Sequence, residues 1–386
     1  MTPADAPPAA GASGQRTRAL PDPFVGPDGR RVAMPADWPE RARAWRTVVA
    51  DVAYGGLPPA PRDLEVETLG ESRVRAIRGA PWLTNHRVTA AVGASSVALV
   101  VRVLRPDAEV PVPAVLYGDG GWWNLTHAVA RRVVDQGVAL VWFDRTELAA
   151  DVAGPPQAGS EPRGGLFGAV PAASFGAIAA WAWGFHRAVD LVRGLPEIDA
   201  ERLAVTGFSR GGKAALLAGA TDERIALVHD HASGAGGAAT FRHVGAGSET
   251  LAALVERFPT WFGPQLPGFA GREEALPFDQ HCLLAAIAPR PLLLTYAAAD
   301  RWSNPEGMVQ AAWAAGEVYR FLGHGDALAF HVRPGDHAHT EQDWATLLAF
   351  LAWRWQGGAP LEGLGRHPFG PLDPAFAWRA PARTGG

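Results

Sequence analysis

The sequence contains a single cysteine, Cys282, among its 386 residues. One cysteine cannot close an internal disulfide, and it cannot form the thiolate cluster of a cysteine-based zinc site. The chain also has no run of the ~18 apolar residues that a membrane-spanning helix needs. Its formal net charge is -4, so no basic field favours nucleic acid. We therefore expect neither a nucleic-acid partner nor a membrane partner.

Residues 1–20 are rich in Pro, Ala, Gly and Ser but have no apolar stretch of the kind found in a secretory signal. This composition predicts a disordered tail, followed by a single domain over 21–386. As it stands the sequence predicts a cytoplasmic protein, or a secreted one if a signal has been removed. Hydrophobic residues make up 48% of the chain, which is enough for one large core.

Apolar runs and helical patterns alternate through most of the chain. Residues 111–144 are typical of a strand, a helix and a second strand, and further buried strands are predicted at "ERLAVTG", "RIALVHDH", "RPLLLTYAAAD" and "LAFHVRPGDH". Helical patterns separate these runs and close the chain. The alternation favours one α/β domain, a three-layer αβα sandwich around a mostly parallel sheet. Segments near 60–110 and 238–280 are predicted to be insertions.

The motif "GFSRG" at 207–211 has the form Gly-x-Ser-x-Gly. By itself it is weak evidence, because roughly one sequence in seven of this composition carries a chance match. Its context is more specific, since a predicted strand precedes Ser209 and a predicted helix follows it. That arrangement is the strained strand-to-helix turn of a nucleophilic serine, and the helix N-terminus supplies N–H groups for an oxyanion. The sequence therefore predicts that Ser209 is a nucleophile.

A serine nucleophile needs a base and an acid, which in this type of fold follow it on turns after later strands. Asp300 ends the strand "RPLLLTYAAAD", and His337 follows the last strand in "HVRPGDHAH". We predict that these two residues complete a triad with Ser209. His339 is a rival base two residues further on, and Glu306 is a rival acid that stands where a helix begins.

The sequence "HDH" at 229–231 contains the residue types of a metal site. Three successive residues at a strand end point to alternating faces, so we expect no metal there. Another histidine, His281 in "DQHCLL", is expected to be a structural hydrogen-bonding residue. No cofactor is predicted for this chain.

Several stretches resemble one known family. "GFSRGGKAALLAG" is similar to the Gly-Cys-Ser-Arg-x-Gly-Lys signature of the glucuronoyl esterases, carbohydrate esterase family 15. "SGAGGAATFR", "FPTWFG", "LPFDQHCLLAAIAPRPLLLTYAAADRWSNPEG" and "RPGDHAHTEQDW" resemble bacterial members. The resemblance implies an α/β-hydrolase fold and a serine esterase that hydrolyses esters of (4-O-methyl-)glucuronic acid. In plant walls such esters join glucuronoxylan to lignin alcohols, so a glucuronate ester or glucuronoxylan-derived oligosaccharide is the implied partner.

The resemblance also implies roles for individual residues. Ser209 matches the family nucleophile and His337 its general base, while Arg210 matches an arginine that helps to hold the oxyanion. The implied sugar-contacting residues are Lys213, Trp302 and Glu249. A sugar carrying hydroxyls needs a few donors, a carboxylate and an aromatic wall, which agrees with these roles. By their chemistry alone, Lys213 could equally be a surface cation, Trp302 a core filler and Glu249 a solvated acid.

Two positions depart from the family pattern. Many members carry the triad acid as a glutamate directly before "SG" after the sixth strand, where this chain has Ala232. The acid must then come from the following strand, which again indicates Asp300, as in some bacterial members. Phe208 stands where the family signature has cysteine, which agrees with the absence of a disulfide.

Two other functions remain open on the sequence. One is an esterase for acetylated or other acylated sugars on the same fold. The other is a non-catalytic carbohydrate-binding protein, which the intact Ser, His and Asp disfavour. The oligomeric state is not determined by the sequence, and we expect a monomer.

Overall fold

The computed structural model describes residues 16–120, 125–154 and 164–382. The strands in these ranges are β1 (Arg16–Thr17), β2 (Asp63–Arg73), β3 (Trp82–Val92), β4 (Ser95–Arg105), β5 (Val112–Tyr117), β6 (Ala139–Trp142), β7 (Ile198–Phe208), β8 (Leu227–His231), β9 (His243–Val244), β10 (Leu292–Ala297) and β11 (Leu328–Arg333). The α-helices are α1 (Trp38–Tyr54), α2 (His127–Asp135), α3 (Gly165–Ala169), α4 (Ala177–Arg193), α5 (Arg210–Thr221), α6 (Leu251–Arg257), α7 (Gln280–Ala285), α8 (Pro305–Phe321) and α9 (Glu341–Trp355).

Nine of these strands form one sheet in the order β11-β10-β8-β7-β5-β6-β4-β3-β2. The six strands from β11 to β6 are parallel, and the last three run antiparallel. The chain winds from β5 outward to β6 and then returns to the other side of β5 as β7. Ligands of such sheets bind at the carboxyl edge near this reversal. The predicted α/β architecture with a mostly parallel sheet is confirmed.

Helices cover both faces of the sheet, as the three-layer prediction requires. Along β7, Leu203 and Val205 join the core formed with α4, α5 and α8, whereas Ala204 lies between them and joins the core formed with α2 and α9. Successive side chains of a strand point to opposite faces, so a central strand buried on both sides is apolar throughout. No helix in the described ranges is both long and apolar enough to span a membrane.

The segment near 60–110, which is predicted to be an insertion, extends the main sheet. β3 pairs with β4 along their whole length, and β4 pairs with β6 through Arg102–Leu104. Alternate residues of β4 are buried from Val97 to Val103, so this strand contributes to the common core. β2 is the edge strand, and all of its residues are exposed except the half-buried Leu64.

The segment 238–280 lies between β8 and β10, and it contains β9 and α6. β9 pairs with β1, so residues 16 and 17 are bound to this segment. Leu20 is buried as well. The end of the expected disordered tail, residues 16–20, is therefore structured, and the rest of that tail lies outside the described residues.

Candidate active site

Ser209 occupies the turn between β7 and α5, at the carboxyl edge of the parallel strands. Its backbone has a φ of 55° and a ψ of -120°, a conformation that side-chain-bearing residues rarely adopt. Its amide donates to the carbonyl of His231 at 2.8 Å, which ties the turn to β8. A Cβ on Gly207 would lie 2.2 Å from the carbonyl oxygen of Gly211, and a Cβ on Gly211 would lie 2.1 Å from Asp119. The turn therefore needs glycine at both positions.

Three side chains form a hydrogen-bonded relay that begins at this turn. The Oγ of Ser209 lies 3.1 Å from Nε2 of His337. The other ring nitrogen of His337, Nδ1, lies 2.7 Å from Oδ2 of Asp300, whose side chain is almost fully buried. Since a carboxylate only accepts, Nδ1 carries the proton and Nε2 presents its lone pair to the serine hydroxyl. The geometry is that of a nucleophile, a base and an orienting acid.

The carboxylate of Asp300 is kept ionised by its hydrogen bonds. The hydroxyl of Ser303 donates to Oδ2 at 2.5 Å, and the Ser303 amide donates to Oδ1 at 3.3 Å. Burial alone would raise the pKa of Asp300, but the bonds from His337 and Ser303 outweigh burial and hold the pKa below its usual value. The acid can therefore balance the positive charge that develops on His337.

The rival base and the rival acid lie elsewhere. His339 stacks between His231, at 4.9 Å, and Trp344, at 5.3 Å, and its ring nitrogens have no hydrogen-bond partner in the described part of the chain. Glu306 lies in the first turn of α8, 3.7 Å from Nε2 of His243. The structure brings neither of them to Ser209.

Arg210 follows Ser209 and begins α5. Its Nη1 donates to Oδ2 of Asp151 at 3.1 Å. The guanidinium carbon lies 4.8 Å from the ring centroid of Trp261 and 5.5 Å from that of Phe258. A carboxylate on one side and aromatic rings on the other hold the cation next to the nucleophile.

A second guanidinium, from Arg145, connects this cation to the turn. Arg145 donates to Oδ2 of Asp151 at 2.8 Å and also to Oδ1 of Asp119. The other oxygen of Asp119 accepts from the backbone amide of Phe208 at 3.4 Å. Burial raises the pKa of Asp119, and the positive charge of Arg145 opposes that rise. The carboxylates of Asp119 and Asp151 thus alternate with the guanidinium groups of Arg145 and Arg210 next to the turn.

Lys213 and Glu249 form a second buried pair of opposite charge. The ammonium group of Lys213 donates to the carbonyl of Ala235 at 2.5 Å and to that of Ser233. Burial lowers the pKa of Lys213 to about 8, against the attraction of Glu249. Burial raises the pKa of Glu249 to about 7, although Lys213, Arg257 and Arg210 favour its charged form. Oε1 of Glu249 is buried and has no hydrogen-bond partner among the described residues.

Trp302 lies beside Glu249, since the Glu249 amide donates to the carbonyl of Trp302 at 3.1 Å. The indole is half-buried, and the guanidinium carbon of Arg257 lies 5.7 Å from its ring centroid. Residues 300–303 thus bring three groups together: the carboxylate of Asp300, the indole of Trp302 and the hydrogen-bond donors of Ser303. The predicted substrate-binding residues are brought together around the relay.

Sequence reasoning missed the residues that hold the predicted ones in place, namely Asp119, Arg145, Asp151, Trp261 and Ser303. A signal was present for two of them. Asp119 comes two residues after β5 and Arg145 three residues after β6. Charged residues directly after buried parallel strands lie at the edge where such sheets bind ligands. Asp151 has no comparable signal, because it does not directly follow a strand and its partners Arg210 and Trp261 are 59 and 110 residues away in sequence.

Comparisons with known proteins agree with this geometry. The sequence profile described as glucuronyl esterase, fungi, matches residues 88–323, which is well over half of the chain. The carbohydrate esterase MZ0003 from an unknown prokaryotic organism is 30% identical over 398 aligned residues, which cover 88% of this chain and 90% of that protein. The chain belongs to the glucuronoyl esterase family.

Two further members show how far the similarity extends. The 4-O-methyl-glucuronoyl methylesterase of Thermothelomyces thermophilus is 31% identical, and the match covers 83% of this chain and 77% of that enzyme. The solved structure of a carbohydrate esterase family 15 glucuronoyl esterase from Caldicellulosiruptor kristjansonii superposes with a TM-score of 0.79 at 32% identity. That match covers 93% of this chain and 96% of the other. The family resemblance and the α/β-hydrolase fold predicted from the sequence are confirmed.

In this member of the family, the two departures from the family signature have visible structural settings. Ala232, at the position of the usual glutamate, has a φ of 50° and donates its amide to the carbonyl of Thr295 at 2.9 Å. A methyl group there cannot orient His337, and Asp300 contacts that histidine instead. Phe208 packs its ring 4.6 Å from that of His337, so an aromatic contact replaces the family cysteine.

The two histidines of the sequence "HDH" and His281 are hydrogen-bonded to protein groups. Nδ1 of His229 lies 2.7 Å from the hydroxyl oxygen of Thr206, and Nε2 lies 2.8 Å from the hydroxyl oxygen of Thr295. His231 lies between Thr295 and the carbonyl of Ala338. Among the described residues, no three histidine, cysteine or acidic side chains converge as metal ligands. His281 donates to the carbonyl of Pro21 at 2.9 Å, a structural bond.

Proposed function

We propose that this protein is a serine esterase that hydrolyses esters of (4-O-methyl-)glucuronic acid through an acyl-enzyme. The observation that carries the proposal is the relay from Ser209 to His337 to Asp300 at a strained strand-to-helix turn. Membership of the glucuronoyl esterase family and the name of the Thermothelomyces relative support the choice of substrate. No cofactor enters the reaction.

Acylation begins when Nε2 of His337 takes the proton of the Ser209 hydroxyl and the oxygen attacks the uronyl carbonyl carbon. The carbonyl oxygen becomes an oxyanion beside the N-terminus of α5, where backbone N–H groups and the Arg210 guanidinium stabilise its charge. The ion pair with Asp300 stabilises the imidazolium that forms. His337 then protonates the departing alcohol, and the uronyl group stays on Ser209.

Deacylation repeats these steps with water. His337 accepts a proton from the water as its oxygen attacks the acyl carbon, and it returns the proton to Ser209 as the uronate leaves. The sugar ring is held at the neighbouring side chains of Lys213, Glu249 and Trp302. Glu249 accepts from a ring hydroxyl through its unpaired Oε1, and the Trp302 indole packs against an apolar part of the ring.

The test compares hydrolysis of benzyl glucuronate with that of 4-nitrophenyl acetate. We expect wild type to hydrolyse the glucuronate ester, and Ser209→Ala to lose at least about 10³-fold in kcat on both esters. Glu249→Gln should raise KM for the glucuronate ester at least tenfold while kcat/KM for the acetate changes less than threefold, because only the sugar ester contacts this side chain.

The outcomes separate the chemistry from the substrate. Activity of wild type on the acetate alone would keep the serine chemistry and remove the uronate assignment. Equal losses on both esters in Glu249→Gln would show that Glu249 supports the site as a whole and does not bind the sugar. Full activity of Ser209→Ala would exclude the acyl-enzyme.

A further inference from the structure

We propose that Asp151 is a positioning residue of the esterase reaction, fixing the Arg210 guanidinium where the oxyanion forms. The inference rests on the proposed function, since it requires an oxyanion beside Ser209. Asp151 acts through Arg210 and not on the ester itself.

Both oxygens of Asp151 are occupied by fixed donors. Oδ2 accepts from Nη1 of Arg210 at 3.1 Å and from Nη2 of Arg145 at 2.8 Å, and Oδ1 accepts from Nε1 of Trp261 at 3.2 Å. The carboxylate is only 6% exposed. Trp261 also lies against the guanidinium of Arg210, so the acid and its indole donor hold two sides of the same cation. A carboxylate with three protein donors has little freedom to move.

The charge and burial of Arg145 and Arg210 indicate which of the two side chains would move if Asp151 lost its negative charge. Arg145 and Arg210 both donate to Oδ2 of Asp151, so Asp151→Asn removes a negative charge that two guanidinium groups share. Arg145 is 2% exposed, is paired with Asp119 and lies 4.6 Å from the ring centroid of Trp181. Arg210 is 13% exposed and begins a helix at the open edge of the site. Repulsion would therefore displace Arg210, which is the cation that the reaction needs.

The same network reaches the turn that holds the nucleophile. Asp119 accepts from the amide of Phe208, the residue directly before Ser209, and it is bound to Arg145, which is bound to Asp151. The position of Arg210 relative to Ser209 is thus set through a continuous chain of buried charged groups. Displacements of about 1 Å at a reacting centre can cost on the order of 10²-fold in rate.

The first measurement compares Asp151→Asn with wild type. Asparagine keeps the shape and the acceptor for Trp261, but it removes the negative charge and can turn an N–H group towards the two guanidinium groups. We expect kcat to fall about 10- to 100-fold with KM within threefold, because the interaction is made mainly in the transition state. A loss confined to KM, or an unchanged kcat, would overturn the proposal.

A double-mutant cycle with Arg210→Ala separates positioning from general support of the fold. Arg210→Ala alone should lower kcat about 10²- to 10³-fold. If Asp151 acts through Arg210, adding Asp151→Asn to Arg210→Ala should change kcat less than threefold further. If Asp151 merely stabilises the site, the two losses multiply, and the proposal is wrong.

Two further variants cover the case in which Asp151→Asn folds poorly. Trp261→Phe removes one donor to Asp151 but keeps an aromatic ring; it should lower kcat two- to tenfold, again only when Arg210 is present. Asp222→Asn is the matched control, because Asp222 is a buried carboxylate paired with Arg224 at the other end of α5. It should leave kcat within twofold. A larger loss in this control would show that any buried acid near α5 affects the reaction.

The same variants are assayed with benzyl glucuronate, with 4-nitrophenyl acetate and by the rate at which a fluorophosphonate modifies Ser209. The phosphoryl oxygen of that probe takes the place of the oxyanion. The rate of modification therefore reports the effect of each variant in the double-mutant cycle even if the glucuronate ester is not the substrate. Failure of wild type on the glucuronate ester would contradict the proposed function alone. Multiplying losses in the fluorophosphonate rate would contradict the role of Asp151 alone.

Discussion

At the scale of single residues, two histidines that are nearly adjacent in sequence have opposite environments. His337 has a partner on each ring nitrogen, Ser209 on one side and Asp300 on the other. His339 has neither, and its ring lies among those of Phe208, His231 and Trp344. Burial lowers the pKa of His339 well below the usual histidine value, so it is a neutral aromatic packing group.

The two environments predict opposite results for the two histidine substitutions. His337→Gln should lower kcat at least about 10³-fold, because His337 is the base that contacts Ser209 in the described part of the chain. His339→Phe should keep kcat within about threefold and the free energy of unfolding within about 1 kcal/mol, because a ring replaces a ring and no hydrogen bond is lost. Ester hydrolysis and urea unfolding measure both. Loss of activity in His339→Phe with an unchanged unfolding curve would return the base assignment to His339.

At the scale of elements, the nucleophile turn and the helices differ in how they tolerate a methyl group. Gly207 ends the buried part of β7, and a Cβ there would lie 2.2 Å from backbone oxygen that cannot move without shifting α5. Gly316 lies inside α8, and a Cβ there would meet only the end of the flexible Arg320 side chain, at 3.3 Å. Gly207 is required because β7 and α5 approach closely at the nucleophile turn, whereas no such approach requires glycine at position 316.

Alanine at these two glycines is therefore expected to act in opposite directions. Gly207→Ala should lower kcat at least about 10²-fold and lower the free energy of unfolding, because the turn must shift. Gly316→Ala should raise the free energy of unfolding by about 0.5–1 kcal/mol with kcat unchanged, as alanine favours the helix. Both are measured by chemical unfolding and ester hydrolysis. Unchanged activity in Gly207→Ala would mean that the turn relaxes without moving Ser209.

The elements also show what the sequence could and could not predict. The strand before Ser209, the helix after it and the post-strand positions of Asp300 and His337 were predicted from patterns within short windows. The choice between Asp300 and Glu306 needed the fold, because only pairing of β10 with β8 and β11 brings the end of β10 to the relay. The assignment of 63–105 to the main sheet also depended on a long-range pairing, that of β4 with β6. Local periodicity contains no information about such partners.

At the scale of the whole molecule, several buried histidines make the fold sensitive to acid. Burial lowers the pKa of His186 to about 4 and the pKa values of His229 and His281 to about 3. Between the unfolded value of 6.5 and these folded values, only the unfolded chain binds the protons, so stability is lost as the pH falls. Asp230 and Glu249, whose pKa values burial raises to about 7, act in the opposite direction.

A substitution at His281 isolates one of these contributions. His281→Gln keeps a donor for the carbonyl of Pro21 but removes the titration. As the pH falls from 5.5 to 4.5, the free energy of unfolding should decrease less in His281→Gln than in wild type. The difference between the two slopes should be about 1.4 kcal/mol per pH unit. Urea unfolding at several pH values measures the slope, with His324→Gln, at an exposed position, as the control. Equal slopes in wild type and His281→Gln would mean that His281 is charged in the folded protein.

The contacts around residue 20 have a consequence for the order of the chain. Leu20 donates its amide to the carbonyl of Ala375 at 2.8 Å, and the indole of Trp378 donates to the carbonyl of Leu20 at 3.0 Å. Segments far apart in sequence are thus side by side, whereas the β3–β4 turn at Gly93–Ala94 is exposed. A circular permutant that joins the two segments through a short linker and opens at this turn would keep every pairing of the nine-stranded sheet, because exposed loop tips tolerate new termini. In such a permutant, the ribosome would translate Ser209, Asp300 and His337 before it translates β2 and β3.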